Sequence, residues 1–248
     1  MDCSSSRQFS FDFGLEGDED LLLRSLNGSV DLRRSTSGRL EVTVTLLDHL
    51  ASSGIEKVIT VLEEREPFVV VRSYYQNSRV EASVDYDIAV PESSSLSFAV
   101  EVVNGSLSAE EQGISLSMRT CNGSISGSGL TGPLRMETRN GSIRVKGKPA
   151  LGSIRTLNGD VEAEVGSIEA DGARVSTRGG EVRLLLADSV QADLVARAYS
   201  GEVVLDDLHL ENLHFGDSGL AGRLGGGGAR LYVENVSGKI VLSSRIST

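Results

Sequence analysis

The sequence predicts an all-β chain, built as a parallel β-solenoid (β-helix) of about 18–21-residue coils with an N-terminal antiparallel meander. Three observations predict it. The turn Asn104-Gly105-Ser106 recurs as Asn122-Gly123-Ser124 and Asn140-Gly141-Ser142, then as Asn158-Gly159-Asp160, always eighteen residues on. Around each turn apolar and polar residues alternate with period two, the pattern of a strand with one buried face. Glycine is abundant (28 of 248 residues) and proline scarce (4), which suits a chain of many tight turns better than long helices.

With each turn residue as position zero, the series continues at Gly179, Ser200, Ser218 and Ser237, each followed by glycine. Position +3 reads Leu107, Ile125, Ile143, Val161, Val182, Val203 and Ile240, and position +5 reads Ala109, Gly127, Val145, Ala163, Leu184, Leu205 and Leu242. Position −4 reads Val100, Met118, Met136, Ile154, Val175, Ala196 and Val233; position −2 is Val102, then Thr120, Thr138, Thr156 and Thr177. Position +2 is polar throughout, and only the repeat at Ser218 is ragged. A fixed period of this length is the mark of a solenoid, whose coils stack about 4.8 Å apart and bury the aliphatic columns as ladders. Parallel stacking is expected from about residue 95 to 243. Gly and Asn suit the turn because both tolerate positive φ, and stacked Asn amides can bond along the column.

The first ninety residues hold one such coil, in which Asn27 is zero and Leu23, Val30 and Leu32 take −4, +3 and +5. Segments 39–47, 57–64, 67–75 and 78–91 read as strands of a meander, with Asn77-Ser78 as a turn and a short helix at 47–53. The meander is expected to cover one end of the solenoid, whose strand edges would otherwise be open to pairing. The chain therefore divides into 1–91, coil plus meander, and 92–248, solenoid repeats, in one continuous elongated body.

The charge of −11 argues against nucleic acid and anionic membrane surfaces, since phosphate binding rests on Lys and Arg. Cys3 and Cys121 make no disulfide framework. No signal peptide or run of eighteen apolar residues is visible, so a cytoplasmic location is the default expectation, with a surface location left open.

Residues 84–109, with Ile88-Ala89-Val90-Pro91 ahead of Asn104-Gly105-Ser106-Leu107, resemble the bacterial and archaeal β-solenoid family called "putative adhesin", a domain of unknown function. The resemblance runs over roughly residues 20 to 245. It implies a solenoid and a binding role, and it brings no catalytic residues.

Other motifs reduce to structure. The sequons at Asn27, Asn104, Asn122, Asn140 and Asn235 follow from turn chemistry. Asp206, Asp207, His209, Glu211, His214 and Asp217 form the densest group of metal-ligand types, but His-x4-His is no familiar zinc spacing, and Leu208, Leu210, Leu213 and Phe215 suggest a strand with one buried side. The glycine-rich stretch 222–231 lacks the GK[ST] of a phosphate loop and reads as a loop between coils. Arg135, Glu137, Arg139, Arg144 and Lys146 read as cross-strand charge pairs. Catalytic, cofactor and metal residues are therefore expected to be none.

Two functions fit. One is a non-catalytic binding module for a protein or glycan; the other is an intracellular structural protein that associates through solenoid ends. The final coil, with Ile240 and Leu242 facing inward, has no following segment long enough to fold back as a cap, so a homodimer through its edge is expected.

Overall fold

A computed structural model describes residues 6–13, 20–48, 56, 58–65, 68–75, 82–91, 96–216 and 218–245. In chain order they form β1 (Ser6–Phe13), β2 (Asp20–Asn27), β3 (Val30–Arg34), β4 (Leu40–Asp48), β5 (Val58–Arg65), β6 (Phe68–Tyr75) and β7 (Ala82–Val90). Next come β8 (Ser97–Asn104), β9 (Leu107–Glu110), β10 (Ser115–Asn122), β11 (Ile125–Leu130), β12 (Pro133–Asn140), β13 (Ile143–Gly147), β14 (Ala150–Arg155), β15 (Val161–Val165) and β16 (Ser167–Ile168). The last are β17 (Ala173–Gly179), β18 (Val182–Ala187), β19 (Ala192–Ser200), β20 (Val203–Asp206), β21 (Glu211–Gly216), β22 (Gly219–Leu224), β23 (Ala229–Ser237) and β24 (Ile240–Arg245).

The chain is all-β, in two large, mostly parallel sheets. Sheet A runs β1-β4-β7-β3-β9-β11-β13-β15-β18-β24-β20, and sheet B runs β21-β22-β19-β23-β17-β14-β12-β10-β8-β2-β6-β5, with β16 beside β14. Strands before an Asn-Gly or equivalent turn lie in sheet B and those after it in sheet A, so each such turn links the sheets, except the one at Ser218. The aliphatic columns meet between them. Val100, Met118, Met136, Ile154 and Val175 from sheet B, and Leu107, Ile125, Ile143, Val161 and Val182 from sheet A, are at most 1% exposed. Strand pairing keeps each column in line: Met118 stands beside Val100 and Met136, and Ile143 beside Ile125 and Val161. Val203 and Leu205 are only half-buried because β20 is the outermost strand of sheet A.

The turn divides its labour between two residues. Asn104 donates to Asn27 Oδ1 (2.9 Å), Asn122 to Asn104 (2.7 Å), Asn140 to Asn122 (2.8 Å) and Asn158 to Asn140 (2.8 Å), an exposed amide ladder down one corner. No asparagine in it has positive φ; the glycine does, as at Gly141 (φ 154°). A Cβ there would lie 2.1 Å from Gly123 O of the turn below, so close backbone approach, beyond φ alone, requires glycine. Behind the turn the buried Thr120, Thr138, Thr156 and Thr177 each donate to a glycine carbonyl of the neighbouring turn, and Asn235 does the same to Gly180 O. Asn235 is 0% exposed, so its sequon is closed to modification in the folded chain. At +2, Ser142 Oγ and Asp160 Oδ1 accept from the Asp160 and Glu181 N–H groups of the next rung.

Several expectations are corrected. The first ninety residues are no simple meander, because β6 and β7 lie in different sheets and pair parallel with β2 and β3; only β4 and β5 run antiparallel to the stack there, and β1, antiparallel to β4, runs in the direction of the stack. Strand β1 was not foreseen, although Phe9, Phe11 and Phe13 alternate with polar residues. Leu47 and Asp48 end β4, and the rest of the expected helix, like the Asn77-Ser78 turn, lies outside the described residues. The ragged Ser218 repeat is the turn of an antiparallel β21–β22 hairpin. The final rung is not terminal: β23 sits between β17 and β19, and β24 between β18 and β20. The edge expected to form a homodimer is thus already paired on both sides. At each end of the stack a late or early segment slips between strands from other parts of the chain.

Candidate functional site

Outward residues of sheet B reveal what the columns of the core do not. Position −1, one residue before each turn, has the parity of a solvent-facing residue and should be polar. Following strand order from β5 to β19, it reads Ile59, Tyr74, Leu26, Val103, Cys121, then Arg139, Leu157, Arg178, Val236 and Tyr199. The register places these side by side: Ile59 is paired with Tyr74, the Ser25–Val102 and Asn27–Asn104 pairs bracket Leu26 and Val103, and the Thr177–Asn235 and Gly179–Ser237 pairs bracket Arg178 and Val236. Nine large apolar side chains are exposed among the described residues, and seven of them stand in this one row; the other two are Leu213 and Phe215 of β21. Single exposed apolar residues need no explanation, whereas Ile59, Tyr74, Leu26 and Val103 on four adjacent strands do; Arg139 and Arg178 flank Leu157 further along the row.

Two residues earlier on the same strands, position −3 forms a second outward row that is charged. From β6 it reads Arg72, Arg24, Glu101, Arg119, Glu137, Arg155, then Ser176, Glu234 and Arg197, each beside the next in register. Within it Arg24 binds Glu101 (2.7 Å) and Arg119 binds Glu137 (3.2 Å). Both pairs are about half exposed, and such pairs stabilise little. They do hold the row in place.

Where the rows cross β6, β2, β8 and β10 they line a groove of about 660 Å³. Tyr74, Leu26, Val103 and Cys121 form one wall; Arg24, Glu101 and Arg119 form the other. Its floor is held by a buried hydroxyl cluster. Ser73 Oγ bonds Tyr86 Oη and, at 2.9 Å, Thr60 Oγ1, and burial pushes the Tyr86 phenol up to about 12. Burial also raises Tyr75, whose hydroxyl donates to Ala82 O (3.2 Å). Neither phenol is suited to acid–base work near neutral pH.

At the far end of the rows, Tyr232 lies under Arg174 (5.0 Å) and Arg197 (5.9 Å), and Arg174 pairs with Glu234. Desolvation first, then Glu234, raises Tyr232; a bond to Tyr199 is the main cause raising Arg197. Near the other end of the apolar row Arg72 donates to Tyr74 Oη (3.2 Å).

The expected charge pairing is found for three of the five residues: Arg135 pairs with Glu169, Glu137 with Arg119, and Arg144 with Glu162 (2.9 Å). Among the described residues no three His, Cys, Asp or Glu side chains converge as metal ligands. His209, Glu211 and His214 are exposed, His214 turning back to Asn212 O (2.6 Å), and Asp217 lies outside the described residues. Every residue of β21 is exposed, so the expected burial of Leu213 and Phe215 is wrong; Phe215 is 77% exposed on an edge strand bulged at Asn212 (φ 50°). Glycines 225–227, all at positive φ, turn the chain from β22 into β23, the loop that was expected. Cys121 is a half-buried free thiol.

No family model matches the chain, and no curated protein matches it. Solved structures do. A putative adhesin from Bacteroides fragilis is 11% identical over 96% of this chain and 97% of its own, with a TM-score of 0.51. A putative cell adhesion protein from Clostridium sporogenes (11% identical; 97% and 100% covered) has a TM-score of 0.44, and a putative adhesin from Parabacteroides distasonis (11%; 96% and 97%) one of 0.46. The first likeness supports the fold and leaves the function to the surface. Among the described residues no helix is long and apolar enough to cross a membrane.

Proposed function

We propose that the two sheets are the walls of a β-solenoid whose coils advance by 18 to 21 residues between Asn104 and Gly179, and that the chain is a non-catalytic, adhesin-like binding module. Its docking surface is the outer face of sheet B, and its partner is a protein. The observation that carries this reading is the row of seven exposed apolar side chains beside a row of charges, when only two other large apolar groups are exposed among the described residues. The row favours protein over glycan because five of its seven apolar members are aliphatic; sugar rings stack best on aromatic faces. Association through solenoid ends finds less support. Of the four outermost strands, β1, β5 and β21 run antiparallel to their neighbours and only β20 continues the parallel stack.

The test is binding to immobilised panels, one of proteins that includes this chain and one of glycans, by wild type, by Leu26→Lys/Val103→Lys, and by Ser126→Lys on sheet A. Wild type and Ser126→Lys should bind a protein, and the double variant should bind it at least about tenfold more weakly. Equal binding by all three, or binding to sugars alone, would overturn the reading.

A further inference from the structure

The two outward rows of sheet B are matched to themselves. A two-fold axis lying in an interface, parallel to the strands, keeps each residue's position along its strand and reverses the order of the rungs. The apolar row of one copy then meets the apolar row of the other, and the charged row meets the charged row. Ten rungs take part, from β5 to β19, and the middle falls between β10 and β12. With the axis there, Arg119 faces Glu137 of the second copy, Glu101 faces Arg155, and Arg72 faces Glu234. Arg24 faces Ser176, and no rung sets like charges directly opposite. In the apolar row Val103 meets Leu157, Tyr74 meets Val236 and Ile59 meets Tyr199. Leu26 and Cys121 meet arginines, whose stems can lie across apolar surface.

Neighbouring registers fail. Moving the axis onto β10 sets Arg24 against Arg155 and Glu101 against Glu137. Moving it onto β12 sets Arg119 against Arg155 and Arg72 against Arg197.

We propose that this face pairs with the same face of a second copy, about that two-fold axis. The proposal rests on the reading of the face as a docking surface and names its occupant. Rung spacing is a second reason to choose a copy of the chain. Side chains recur every ~4.8 Å along the row, and only a surface with the same spacing stays in step over ten rungs. Area is a third. Nine spacings make a row ~43 Å long, and two columns with their flanks are ~14 Å wide. That is about 600 Å² per copy and about 1,200 Å² in all, at the threshold for a specific interface. A self-complementary contact of this kind closes at two copies and leaves no propagating end.

Sedimentation equilibrium of the full chain up to about 100 µM tests it. Wild type should be a dimer. Arg155→Glu, which sets a carboxylate against Glu101 of the other copy, should weaken the dimer at least about tenfold, and Glu101→Arg/Arg155→Glu should restore it. Val103→Lys, at an exposed position, should weaken it by a similar factor without altering the circular dichroism spectrum, and it serves should a charge variant fail to fold. A monomeric wild type, a dimer that none of these variants moves, or a ladder of larger species would each overturn the proposal. A monomer that still binds panel proteins through Leu26 and Val103 would defeat this inference and leave the docking reading standing; a monomer without such binding would defeat both.

Discussion

Asn140 and Gly141 are neighbours in one turn, and the structure predicts very different costs for replacing them by alanine. Asn140→Ala removes two links of an exposed amide ladder, the bond donated to Asn122 and the one accepted from Asn158. Each exchanges with water at the surface, so the loss should total about 1 kcal/mol. Gly141→Ala places a Cβ 2.1 Å from Gly123 O and 2.5 Å from Gly123 C, at φ 154°. Both contacts are with backbone. The turn below is itself held by the bond from Gly123 N–H to Asn140 O (2.9 Å) and cannot retreat without losing the rung. Relief requires opening the strand register, so the cost should exceed about 3 kcal/mol, the range of backbone strain and lost networks. Thermal unfolding followed by circular dichroism would read this as a shift of about 2–4 °C for Asn140→Ala and at least about 6 °C for Gly141→Ala. Equal shifts, or a larger one for Asn140→Ala, would refute the division of labour within the turn.

Further outcomes follow from burial and charge. Ile143, 1% exposed between Ile125 and Val161, should lose more than about 3 kcal/mol as Ile143→Asp, whereas Ser142→Ala should lose about 0.5–1 kcal/mol with its bond from Asp160 N–H; similar melting temperatures would contradict the inward–outward register. Because burial raises Tyr86 to about 12, its neutral phenol is favoured in the fold: the stability is complete below about pH 10 and lost as pH rises through 12. That two-unit window corresponds to about 3 kcal/mol, so urea midpoints should fall less steeply above pH 10 in Tyr86→Phe than in wild type, and parallel curves would refute this. EDTA should leave the melting temperature unchanged; a fall restored by Ca²⁺ or Zn²⁺ would implicate residues 206–217.

The ladders were legible because burial imposes a pattern that side-chain parity cannot hide. Ile125, Ile143 and Val161 had to face inward wherever their strands stood. Which strands are neighbours was not legible. Val233, Asn235, Ile240 and Leu242 satisfy the same columns whether their rung is last or lies between Val182 and Val203, and only pairing reveals the second arrangement. The parallel pairing of β6 and β7 with the Asn27 rung escaped notice for the same reason. The docking face did leave a trace. Leu26, Val103, Leu157 and Val236 break parity at one position, each just before its turn. Tyr74, Ile59 and Tyr199 join that row only through pairings between strands far apart in the chain.

Chemical cross-linking tests the central claim, the self-matched face, most directly. On a Cys3→Ser/Cys121→Ser background, Val103→Cys and Leu157→Cys are prepared separately and treated with a short bismaleimide. Facing sheets stand about 10 Å apart, so Cys side chains directly opposite are within its reach, while those three rungs away are about 14 Å off along the row. A mixture of the two variants should give a covalent dimer on a denaturing gel, and each variant alone should stay a single chain. Cross-linking of Val103→Cys to itself as readily as to Leu157→Cys, or none in the mixture, would contradict the account.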